Sequence, residues 1–171
     1  MQLVGYHGTK LESKESILEN GFQLSSEKEW LGSGVYFFEN LSPISDGAIE
    51  AESWVKLIRR FELWAVIETV IESDNCFDIF KNNEHRKKYF ELREVLLRKH
   101  QAMKLKNEDF SDAVVFTLIA KELKVEVIRA LVDGGRSPNY PSYVIKRPQL
   151  QLCVKELACI KKSRCVKEGI L

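Results

Sequence analysis

A chain of 171 residues, 44% hydrophobic and 30% charged, is long enough to bury one sizeable core and fits a single domain. No apolar run approaches the ~20 residues that span a bilayer, and MQLVGYHG lacks the regions of a signal peptide, so a cytoplasmic protein without membrane contact is expected. The net charge of +1 hides an uneven distribution: residues 1–80 carry 6 Lys+Arg against 14 Asp+Glu, residues 81–109 carry 9 against 5, and residues 143–171 carry 7 against 2. The two basic stretches suit an anionic partner such as nucleic acid, although solvated faces would also account for them. Cys76, Cys153, Cys159 and Cys165 show no CxxC spacing, and no histidine follows the last three. Reduced thiols and no metal site are therefore expected.

QLVGYH, residues 2–7, predicts a strand that ends at a His-Gly-Thr step. A helix through SKESILENGF follows. Thr9 and Glu12 have the spacing of a capping box, Ser13 is a rival cap, Ile17 and Leu18 supply an apolar face, and Asn20-Gly21 stops the helix. SGVYFFEN predicts a second buried strand, and residues 48–60 a helix with Ala51, Trp54, Val55 and Ile58 on one face. FELWAVIETVI has the continuous apolar, β-branched run of a central strand covered on both faces, and CFDIF continues after a turn.

Helices are predicted over 83–105, with Phe90, Val95, Leu96 and Leu97 apolar, and over 111–123, capped at Ser111 or Asp109. VEVIRALV is a strand, Asp133-Gly-Gly135 turns the chain, and a loop with Pro138, Pro141 and Pro148 leads to the strand LQLCVKE. CIKKSRC supplies a short closing strand. His85 and His100 read as surface residues. Strands that open and close the chain around inserted helices predict an α+β fold with antiparallel sheet and covering helices.

His7-Gly8-Thr9 at the end of a first strand, a helix closing in Asn20-Gly21-Phe22, and Gly32-x-Gly34-x-Tyr36-Phe37 on a second strand form an ordered set. This set resembles the ADP-ribosyltransferase superfamily, in its diphtheria-toxin and poly(ADP-ribose) polymerase branch, and the likeness runs from Val4 to about Val154. It implies that superfamily's fold, with split mixed or antiparallel sheets and flanking helices. It also implies NAD as co-substrate, no metal, and a His, a Tyr and a third polar residue on three strands. His7 matches the first position and Tyr36 the second. The third, usually a glutamate opening a late strand, is here a glutamine: Gln151, with Gln149 as the alternative.

By that resemblance His7 bonds a ribose hydroxyl, the Gly8 backbone pairs with the carboxamide, Tyr36 stacks on nicotinamide and Thr9 contacts the adenosine-side ribose. Trp30, Gly32 and Gly34 would shape the intervening loop. Arg129 suits either a pyrophosphate contact or an ordinary strand edge. A glutamine can bond ribose but cannot take a proton, so single transfer is implied rather than chain elongation. Glu39 and Glu156 lie near the relevant strands, with no spacing that makes either the missing carboxylate.

The implied function is mono-ADP-ribosyl transfer from NAD to a protein or nucleic-acid acceptor, by a toxin or phage-defence effector held in check by an antitoxin or regulatory protein. An NAD glycohydrolase or an inactive NAD-binding module are the alternatives.

Overall fold

The computed structural model describes residues 1–104, 106, 110–134 and 147–171. Over that span the chain forms β1 (Gln2–Lys10), α1 (Leu11–Asn20), β2 (Val35–Glu39), α2 (Gly47–Ser53) running into a π-helical segment (Trp54–Ile58), β3 (Leu63–Glu72) and β4 (Cys76–Asp78). Then come α3 (Asn83–Ala102), α4 (Asp112–Leu123), β5 (Val127–Asp133), β6 (Pro148–Val154), a 3-10 turn (Leu157–Cys159) and β7 (Ile160–Ile170). The described strands make one mixed sheet in the order β4-β5-β6-β2-β1-β3-β7, antiparallel throughout except between β4 and β5. The class is α+β, as the alternation of strands and helices predicts.

The described strands form one sheet rather than the split sheets that the resemblance implies, and it has a seam where β1 meets β2. β1 and β3 pair continuously from Gln2–Glu72 to Lys10–Trp64. β1 and β2, by contrast, are in register only at Tyr6 and Phe38. Beyond Tyr6 the register between the two strands is not continued, and His7, Gly8 and Thr9 lie along that stretch.

The core divides around that seam. One face of the sheet buries Phe37, Ile67, Ile71, Leu152 and Val154 with Phe22 and the α1 residue Ile17. On the other face, α3 and α4 cover the β4–β6 half through Tyr89, Val115, Phe116 and Ile119. There α2 and the π-helical segment cover the β1–β3 half through Ala51 and Val55. A furrow is left between the two helical layers.

Gly8 sits where α2 crosses β1. A methyl group there would meet Val55 Cγ1 at 2.5 Å and the Ala51 carbonyl oxygen at 2.7 Å. Close helix packing thus demands this glycine, independently of any ligand approach. Gly8→Ala should destabilise the fold by about 1–3 kcal/mol, read as a lower urea midpoint at unchanged slope. A neutral result would mean that α2 can retreat.

Several local expectations need correction. Thr9 forms no capping box: it is buried within β1 opposite Ala65, and α1 begins after Lys10 without a side-chain cap. Gly21 does end α1, with φ 84° and its N–H on the Ile17 carbonyl. β3 is buried on both faces as expected, but lies one strand from the edge rather than at the centre.

Of the apolar positions read on α3, Leu96 packs inward together with Tyr89 and Leu92, whereas Phe90 and Val95 are exposed. His100 is buried with a ring nitrogen 2.7 Å from the Lys106 carbonyl, while His85 stacks on Phe77 and accepts the Asp78 N–H at 2.9 Å; neither is a surface histidine. The closing strand is no short piece, but eleven residues long, with outward Lys161, Lys162 and Arg164 along the sheet edge. Asp109, Pro138 and Pro141 lie outside the described residues. No helix among the described residues is long and apolar enough to cross a membrane.

Candidate functional site

His7 lies on β1 at the seam, where its Nδ1 is 2.8 Å from the Tyr36 carbonyl and bridges to β2. A carbonyl only accepts, so in the neutral ring Nδ1 carries the proton and Nε2 is the acceptor. Phe22 and Phe37 pack edge-on against the imidazole at 5.2 and 5.8 Å. Desolvation by these neighbours outweighs the Tyr36 hydrogen bond and holds the pKa below its ordinary value of 6.5.

This shift has a measurable consequence. The unfolded chain takes up a proton near pH 6.5, and the native imidazole resists it until lower pH. The stability contribution is present above that pH and is lost as pH falls toward the depressed native pKa. His7→Gln should therefore show a shallower loss of stability below about pH 6.5 than the parent in paired denaturant titrations. Parallel slopes would show that the ring protonates freely in the fold.

Tyr36 on β2 uses its hydroxyl to tie down the preceding loop. It donates to the Gly32 carbonyl at 2.7 Å and accepts the Leu31 N–H at 2.9 Å, and burial pushes the phenol pKa well above its usual value. Lys155 adds bonds to the Leu31 and Ser33 carbonyls at 2.5 and 2.7 Å. Gly32 holds φ 78°, a left-handed conformation that suits glycine. These anchors set Trp30 against Tyr36, ring centroids 4.7 Å apart and tilted by 54°. The Trp30 residue stays 40% exposed.

Gln151, on β6 between Phe38 of β2 and Ala130 of β5, points into the furrow. Its carbonyl accepts the Trp30 indole N–H at 2.8 Å and its amide donates to Gln149 Oε1 at 3.2 Å. Gln149 donates in turn to Glu50 Oε2 of α2 at 2.5 Å, and Arg147 Nη2 meets the same oxygen at 2.9 Å. Both glutamines considered for the third position thus belong to one buried chain, with Gln151 at the end facing His7 and Tyr36.

His7, Gly8, Tyr36, Trp30, Trp54 and Gln151 all line one narrow apolar recess of about 30 Å³. An open cleft of about 610 Å³ continues from it past Thr9, Lys10, Ser25, Arg59 and Phe61. On the far side of Trp30 and Gln151 a second cleft of about 690 Å³ runs between Phe90, Arg93, Leu131 and Gln149. The three sequence-predicted residues therefore converge. Thr9 lines the first cleft, although most of it is buried.

Arg129 does not reach either cleft. Its guanidinium is consumed by Glu39, at 2.7 and 2.8 Å, and by Asp78 at 2.9 Å. Glu39 is accordingly spoken for, and Glu156 is exposed beyond β6. Sequence reasoning missed Glu50, Trp54 and Arg59. The cation Arg59 lies over the Trp54 and Phe61 rings at 5.3 Å each. Trp54 opens the π-helical segment, a geometry that concentrates at functional positions, and no composition signal announced it.

No protein-family profile matches the chain. The chain is 26% identical over 189 aligned positions to an uncharacterized protein of Methanocaldococcus jannaschii, with 92% of this chain and 84% of the relative covered. That likeness spans most of both chains and brings no activity with it.

Proposed function

We propose that this chain is a mono-ADP-ribosyltransferase of the ADP-ribosyltransferase fold, which cleaves NAD at the nicotinamide–ribose bond and passes ADP-ribose to a macromolecular acceptor. The observation that carries the reading is the meeting of His7, Tyr36 and Gln151, from three different strands, at one aromatic recess on the seam. Cleavage of an N-glycosidic bond passes through an oxocarbenium-like state, which needs positioning more than proton transfer.

The residues fit an NAD-sized ligand in parts. The outer cleft falls within the ~300–1,000 Å³ usual for small-molecule sites and carries Lys10 and Arg59 for a pyrophosphate. The aromatic walls suit nicotinamide, which enters the recess once Trp30 swings aside. His7 Nε2 accepts a ribose hydroxyl, and the tautomer is fixed by the Tyr36 carbonyl. Gly8, paired with Val66 of β3 on one side, lines the recess on the other, where a carboxamide would meet its backbone. The Tyr36 hydroxyl stays with its loop, so the ring face is what it offers the ligand.

The second cleft, beyond Gln151, is the side from which an acceptor would approach. Its wall includes α3, where six basic residues outnumber three acidic ones, so nucleic acid is the favoured acceptor and protein the other. A toxin or phage-defence effector with a neutralising partner is the setting in which such an activity belongs.

The test combines purified protein, NAD labelled in the adenylate, and total cell lysate. Label should enter nuclease-sensitive material, with nicotinamide released in step. NAD loss without labelled macromolecule would identify a glycohydrolase instead. Retained NAD with neither release nor label would leave an inactive binding module.

A further inference from the structure

We infer that Glu50 is a positioning residue that sets the direction of the Gln149–Gln151 amide chain, so that Gln151 presents a hydrogen-bond acceptor to the recess. The chain runs from Trp30 through Gln151 and Gln149 to Glu50. Its two ends have fixed polarity, because an indole N–H only donates and a carboxylate only accepts. Between them stand two amides, each with one donating and one accepting end. Only one arrangement satisfies all three links. Turning Gln149 over would set its oxygen against Glu50 and its amide against that of Gln151. Turning both would also face the Gln151 amide toward the Trp30 N–H.

Glu50, Gln149 and Gln151 are each no more than 9% exposed, so water from the adjoining cleft compensates a mispaired end poorly. The Glu50 carboxylate also accepts from Arg147 Nη2, so two donors converge on that end of the chain. The ligand group that takes Trp30's place against Gln151 must therefore be a donor, a hydroxyl rather than a carbonyl. Under the NAD reading this is a ribose hydroxyl, and that identification alone rests on the proposed function.

The same polarity accounts for a glutamine at 151. A carboxylate there would accept from Trp30 but face the oxygen of Gln149. Reversing Gln149 would only move the conflict to Glu50. With an amide at position 50 the chain can reverse and its three links can again be made, while the part-exposed Arg147, which shares Glu50 Oε2 with Gln149, turns to the amide's oxygen.

The test is a double-mutant cycle on the full chain with Gln151→Glu, Glu50→Gln and the pair, read by thermal denaturation. Gln151→Glu should lower Tm, and adding Glu50→Gln should recover at least half of that loss. Losses that merely add would overturn the inference. If Gln151→Glu alone fails to fold, folding of the pair is the same rescue in extreme form.

Should neither fold, Glu50→Gln decides by the indole ¹H–¹⁵N signal of Trp30, assigned through Trp30→Phe. The signal should move while those of Trp54 and Trp64 stay, and an unmoved Trp30 signal would reject the role of Glu50. Calorimetry with NAD and with NAD lacking the nicotinamide-side 2′-hydroxyl adds the ligand side. The parent should prefer intact NAD by about tenfold, and Glu50→Gln should narrow that preference. Equal binding of the two by the parent would remove the donor requirement. No binding of either, with the Tm coupling intact, would reject the NAD reading and leave the amide polarity standing.

Discussion

Arg129→Met should cost about 3–5 kcal/mol of folding stability and lower Tm on the order of 10 °C. Arg129 is 4% exposed and lies at the centre of β5, where its fork grips Glu39 of β2 and its remaining amine grips Asp78 of β4. Methionine fills much of the same volume, so the loss measures charge rather than a cavity. Two carboxylates are left buried and facing one another with no cation. Asp78 has a second task, since its other oxygen accepts the N–H groups of Phe80 and Lys81 at 2.8 Å.

Adding Glu39→Gln and Asp78→Asn to Arg129→Met should return most of the stability, because a neutral trio carries no unpaired charge. A loss below about 1 kcal/mol for the single variant in urea titration would show that water reaches the pair. The expected size matters functionally as well. A protein whose whole stability is about 5–15 kcal/mol is brought close to its limit by one such change, though the residue touches neither cleft.

His7→Ala should reduce NAD-dependent labelling by at least about a hundredfold, mostly in turnover rather than in KM. The imidazole is held on two sides, by the Tyr36 carbonyl and by Phe22 and Phe37, so its Nε2 has little freedom to wander. Alanine removes the acceptor that fixes the ribose and also the bridge across the seam. Circular dichroism and a thermal scan on the same sample separate these effects. A folded variant with near-parental labelling would remove His7 from the chemistry. His7→Gln, which can still reach the Tyr36 carbonyl, should recover stability before it recovers rate.

The strands were legible because each depends on local pattern, alternating or continuous apolar runs with glycines beside a turn, whereas the grouping of His7, Tyr36 and Gln151 (or Gln149) came from the family resemblance. What escaped depends on contacts between distant segments. Thr9 and Glu12 have capping-box spacing, yet β1 continues through Lys10 because pairing with Ala65 and Trp64 wins over a local cap. Glu50 looked like any acidic residue on a helix, and only the crossing of α2 over β6 brings it to Gln149. His85 and His100 sit in a charged stretch, and the aromatic neighbours that cover them lie at other positions in the chain. Arg129 could be an anion site or a strand residue by sequence, and Glu39, ninety residues away, decides for the latter.

The seam also bears on how the molecule is made during translation. β1, β3 and β7 form one flank of the sheet and β2, β4, β5 and β6 the other, so the chain crosses the seam repeatedly and neither flank is a continuous stretch. β3 finds its outer neighbour only in β7, the last of the described strands to leave the ribosome. Until then its Val66 and Ile67 belong to an open edge of the kind that recruits other nascent chains. Pairings this distant in sequence form slowly, which leaves a window for a holding chaperone before the Lys-rich outer strand closes that flank.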